Sequence, residues 1–123
     1  MGTIRMTVKA IDWTQGDVGH VSVALRGGSC RIDWGDGRTS SIRSRTNDES
    51  MIYADHVYPR GCKKSLDIFE ISLTSDNDNL IGFYSGCIDM EILKLDLKEC
   101  PELEKLILSG CVRDVTFRNN PNL

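Results

Sequence analysis

A chain of 123 residues falls within the size of one ordinary domain, or of two small modules that share an interface. With 40% hydrophobic and 27% charged residues it has the composition of a folded protein rather than a disordered one. The net charge is −3, with Lys and Arg interleaved among Asp and Glu, so nothing resembles the basic stripe of a phosphate-backbone binder; no run reaches the ~20 apolar residues that span a bilayer.

The first half of the sequence has the grammar of short strands. Thr3 to Ala10 places Ile4, Met6, Val8 and Ala10 on one side and Arg5, Thr7 and Lys9 on the other, the period of two of a half-buried strand. The cluster Thr14-Gln15-Gly16-Asp17 makes a turn. His20 to Leu25 repeats the alternation through Val21, Val23 and Leu25, and Gly27-Gly28 ends it. In CRIDWGDG, Cys30, Ile32 and Trp34 share a strand face. Asp36-Gly37 then turns the chain, because Gly tolerates positive φ, and Arg38 to Ile42 returns beside it. Residues 44–50 read as a loop, Met51 to Tyr58 as a strand closed by Pro59-Arg60-Gly61, and Leu66 to Leu73 as a strand with Phe69, Ile71 and Leu73 inward. Six or seven such strands predict a sandwich.

Past Thr74 and the polar run Ser75-Asp76-Asn77-Asp78-Asn79 the pattern changes. Ile92, Leu95, Leu97, Cys100, Leu103, Leu106, Leu108, Cys111, Val115, Phe117 and Asn120 form a ladder of the type L-x-x-L-x-L-x-x-C/N. In a stacked coil the L-x-L pair points inward from a short strand. The residue three positions later sits where the chain bends and must be compact enough to meet backbone groups left free there. Cys100, Cys111 and Asn120 occupy those positions, which explains cysteines without C-x-x-C spacing and argues against a zinc site. Gly82, ahead of Tyr84-Ser85-Gly86-Cys87, reads as the first inward slot of a degenerate rung at the junction.

The segment LKLDLKECPELEKLILSGCVRDVTFRNNPNL resembles leucine-rich-repeat surface proteins of Gram-negative gut bacteria, with their phrase L-x-x-L-D-L-x-x-C/N-P-x-L. IDWGDG followed by HVYPRG and SLDIFEISL is similar to the PKD-like immunoglobulin-fold module. Its W-G-D-G turn, H-x-Y and glycine match Trp34, Gly35, Asp36, Gly37, His56, Tyr58 and Gly61. The resemblance implies an all-β protein, a PKD-like sandwich over 1–77 followed by a short leucine-rich-repeat solenoid over 78–123. It implies a bacterial cell surface or periplasmic setting, with Met1-Gly2 either a natural start or the junction left by removal of a secretion or lipoprotein signal. Only two or three half-coils are present, fewer than solenoids generally use, and Cys62-Lys63-Lys64-Ser65 lengthens the usual link before the last strand.

No convergence of acid, base and nucleophile marks an enzyme, and no cofactor or metal is expected. Asp33 and Asp36 suit a turn better than a calcium ion, for which six to eight oxygens are needed. His56 suits a packed strand position, Tyr58 a corner anchored through its hydroxyl. Trp13 fits edge packing or a sugar-stacking role. Cys30 and Cys62 both lie in the sandwich half, and a disulfide between them remains open. The expected function is binding or adhesion to a protein or glycan through the exposed repeat face: Lys94, Asp96, Lys98, Lys105, Ile107, Ser109, Asp114, Thr116 and Arg118. The alternative is a structural spacer with no ligand of its own.

Overall fold

The computed structural model describes residues 2–10, 18–44, 51–57, 68–75, 79–85, 90–108, 112 and 114–116. The strands are β1 (Thr3–Ala10), β2 (Val18–Leu25), β3 (Ser29–Asp33), β4 (Thr39–Arg43), β5 (Met51–Val57), β6 (Ile68–Ser75), β7 (Leu80–Ser85), β8 (Met90–Glu99), β9 (Lys105–Leu108) and β10 (Val115–Thr116). Among the described residues there is no helix, and hence none long and apolar enough to cross a membrane.

The strands form two sheets, one of six strands in the order β10-β8-β1-β6-β3-β4 and one of four in the order β5-β2-β7-β9. They pack as a β-sandwich. The alternation read from the sequence sets the inner faces. Ile4, Met6 and Val8 of β1, Cys30 and Ile32 of β3, and Phe69, Ile71 and Leu73 of β6 are buried on the six-stranded side. Val21, Val23 and Leu25 of β2 and Phe83 of β7 meet them from the four-stranded side in one apolar cluster. Burial of this kind is the main favourable term in folding. Ser75, wholly buried at the end of β6, is satisfied by the backbone of Gly2: its hydroxyl oxygen accepts the Gly2 N–H at 3.0 Å.

The ladder residues enter the same two sheets. β7 pairs antiparallel with β2, and β8 pairs antiparallel with β1. The chain then returns to the four-stranded sheet as β9, parallel to β7, and to the six-stranded sheet as β10, parallel to β8. Leu95 faces Val115 in the register of β8 and β10. Leu106 lies in the opposite sheet and faces Phe83. One circuit of this path runs from Phe83 to Leu106, or from Leu95 to Val115. Leu95, Leu97, Cys100 and Leu103 are buried in the common core. The boundary expected at 77/78 lies outside the described residues, and the strands on either side of it share both sheets.

Cys100 sits at the end of β8, where the chain bends. Its N–H donates to the Leu97 carbonyl at 3.2 Å and its buried thiol donates to the Leu80 carbonyl at 3.6 Å. The bend thus reaches back to the start of β7. Two expected inward positions differ. Leu108 is 37% exposed because β9 is the outer strand of its sheet, with a neighbour on one side only among the described residues. Gly82 is paired with Ala24 while its neighbour Phe83 enters the core, so Gly82 belongs to the outer face and not to the first inward slot.

Candidate functional site

The W-G-D-G turn is a structural knot. Trp34 is fully buried; its N–H donates to the Arg38 carbonyl at 3.1 Å and its indole N–H to Ser40 Oγ at 2.8 Å. Asp33 Oδ1 accepts the Gly35 N–H and Asp36 Oδ1 the Arg38 N–H, each at 3.0 Å. Gly35 has φ +84°, and a Cβ there would stand 2.4 Å from the Glu70 carbonyl oxygen, so only glycine fits between the turn and β6. His56 reaches over from β5, stacks on Trp34 at 5.0 Å between ring centroids with 16° between planes, and places Nε2 2.7 Å from Asp36 Oδ2.

The Asp36 side chain has no solvent exposure and that of His56 only 12%. Burial pushes the Asp36 carboxyl up. The His56 hydrogen bond, the Arg38 amide and the imidazole charge outweigh it, and the group sits below its ordinary value. His56 and Asp36 therefore tie β5 to the turn between β3 and β4, while Asp33 holds the turn itself. Among the described residues no three His, Cys, Asp or Glu side chains gather as a metal-binding group. Tyr58, Gly61, Cys62 and Trp13 lie outside the described residues, as do the paired state of Cys62 and the ladder positions Cys111 and Asn120.

The outer face of the six-stranded sheet has a different character. Alternation that sends Ile4, Met6 and Val8 inward sends Arg5 and Thr7 outward. The strand registers place Thr116, Asp96, Arg5, Ser72, Asp33 and Thr39 side by side, one from each strand, in a polar row across the whole sheet. A second row sets Lys94 against Thr7 and Thr7 against Glu70. The middle of the first row and the second row line a depression of about 610 Å³ whose walls include Arg5, Thr7, Glu70, Ser72, Lys94 and Asp96.

Its charges are of both signs. Arg5 pairs with Glu99, and Lys98 Nζ lies 3.7 Å from Asp96 Oδ2. Arg5 is 58% exposed, and exposed pairs of this type contribute only ~0–1 kcal/mol, so an incoming partner can exchange them at little cost. Ile68 is the sole large apolar side chain exposed on this sheet among the described residues.

The expected binding residues do not share one face. Lys94, Asp96, Lys98, Asp114 and Thr116 belong to the six-stranded sheet and its margin, where the Asp114 carbonyl accepts the Leu95 N–H at 2.8 Å. Lys105 and Ile107 are on β9, in the other sheet. Ser109 and Arg118 lie outside the described residues. The partners that complete the polar row, Arg5, Ser72 and Asp33, are not among the residues expected on the binding face. Their outward alternation was visible, but their adjacency to Asp96 depends on pairings across most of the chain. Comparison of the chain with family models, with curated proteins and with solved structures returns no match.

Proposed function

We propose that this chain is a non-enzymatic binding module of a bacterial surface protein, a PKD-like sandwich carried on into leucine-rich coils. It engages a protein partner through the outer face of its six-stranded sheet. The observation that carries the reading is the polar row from Thr116 to Thr39, which crosses six strands and whose middle, from Asp96 to Asp33, borders a depression. A rigid sheet presenting hydrogen-bonding groups and charges of both signs suits a partner of complementary charge pattern, and such patterns set specificity more than raw affinity. The parallel returns of β9 onto β7 and β10 onto β8 support the coil reading, because each further rung would extend the same surface.

The test is a screen of the chain against protein and glycan arrays, repeated with Arg5→Glu and with Asp96→Arg. Binding to protein features should fall at least ~10-fold in each variant, equivalent to ~1.4 kcal/mol. The melting temperature of Arg5→Glu should stay within a few degrees of the parent, since Arg5 is exposed, whereas Asp96 is half-buried and accepts the Lys98 N–H, so Asp96→Arg should lower it further. Protein partners that bind both variants as well as the parent refute this face. An absence of any partner favours the spacer.

A further inference from the structure

The opposite surface of the sandwich carries a second array. Registers across the four-stranded sheet align Tyr53 of β5, Ser22 of β2, Tyr84 of β7 and Ile107 of β9 in one row. Tyr53 is 63% exposed and Ile107 57%, while the small Ser22 between the tyrosines is nearly buried. Beside this row, Ala24 is paired with Gly82.

Gly82 explains how Tyr84 is held. A Cβ built on Gly82 would lie 3.1 Å from the Tyr84 hydroxyl oxygen and 3.4 Å from Cε2. The Tyr84 side chain is therefore reclined along its own strand, its tip over Gly82, rather than standing upright from the sheet. A phenol lying this way turns one ring face to the backbone, and Tyr84 is half-buried, with Gly82 and Ala24 covered beside it. Strand spacing puts the Tyr53 and Tyr84 backbones about 10 Å apart, two strand widths. That is about the length of one disaccharide repeat in an extended β-linked glycan.

We propose that this row is a carbohydrate-stacking site for a neutral, extended β-1,4-linked glycan of the cellulose or chitin type, lying across the strands. The electron-rich ring faces attract the C–H groups on the flat sides of pyranose rings. Asp55 lies on the same side of β5 as Tyr53, and Lys105 on the same side of β9 as Ile107; both are exposed and placed to meet sugar hydroxyls at the rims. This site is independent of the polar row: it is on the other sheet and uses aromatic faces in place of charges.

The experiment titrates the full chain with cellohexaose and with chitohexaose by calorimetry. One of the two should bind. Tyr84→Ala should weaken that binding at least ~10-fold, as loss of a stacking contact does. Tyr84→Phe should retain it within a few-fold, because the ring and not the hydroxyl makes the contact. If Tyr84→Ala does not fold, Tyr53→Ala, at a well-exposed position, gives the same reading. Arg5→Glu should leave sugar binding unchanged. The proposal is overturned if neither oligosaccharide binds, if both tyrosine-to-alanine variants bind like the parent, or if Arg5→Glu abolishes binding.

Discussion

Removal of the His56 imidazole should leave the buried Asp36 carboxylate with backbone amides, that of Arg38 among them, as its remaining partners. A hydrogen bond to a charged group contributes about 1.5–3 kcal/mol, and the Trp34 stack about 0.5–1.5 kcal/mol beyond its buried area. His56→Ala should therefore cost about 2–4 kcal/mol. For a domain of this size, with ~4 °C lost per kcal/mol, the melting temperature should drop by ~8–16 °C. The assay is thermal and urea unfolding of the parent, His56→Ala, Asp36→Asn and the double variant at neutral pH. The double-mutant cycle should return a coupling of about 1–3 kcal/mol. Since the Asp36 pKa is lowered in the folded chain, its contribution is complete above the ordinary value of 3.8 and is lost as pH falls through the lower folded value. The difference between parent and Asp36→Asn should shrink over that acid window. A coupling below ~0.5 kcal/mol at neutral pH, within the error of additivity, would refute the buried pair as the bond between β5 and the turn.

Gly35→Ala should be among the most damaging single changes, because the φ of +84° strains any side chain and an added methyl group would collide with the Glu70 carbonyl; urea unfolding should register a loss of ~2 kcal/mol or more. Leu95→Ala and Leu97→Ala, both at wholly buried positions, should each cost about 2–5 kcal/mol by chemical denaturation. Leu108→Ala, on the outer strand, should cost clearly less than either, and an equal cost would contradict its exposed placement. Cys100→Ser should lower stability by ~1 kcal/mol or more in the same assay, since a hydroxyl replaces a well-packed thiol in an apolar site.

Strand identity was legible because the period of two survives in single stretches such as Ile4-Met6-Val8 and Phe69-Ile71-Leu73, and both triplets are inward. The role of Cys100 was legible for the same local reason: the ladder puts a compact residue where the chain bends, and there its thiol meets the Leu80 carbonyl. Assignment of strands to sheets was not legible. Leu95 and Leu106 look equivalent in the ladder, yet they belong to opposite sheets, because alternation reports which side faces inward and is silent on which layer a strand joins. The expected binding set divided between the two outer surfaces for that reason. Gly82 was misplaced by the same ambiguity: the irregular register between Ala24 and Leu25 shifts β7 by one residue and turns Gly82 outward under Tyr84. The His56 to Asp36 contact joins residues on separate strands, and no spacing rule connects them.

The most direct test of the recognition surface is an amide NMR titration with a protein partner recovered from the array. Shift changes should concentrate on β1, β6 and β8, around Arg5, Ser72 and Asp96, while amides of β2 and β5 stay in place. Changes confined to the four-stranded sheet would contradict it.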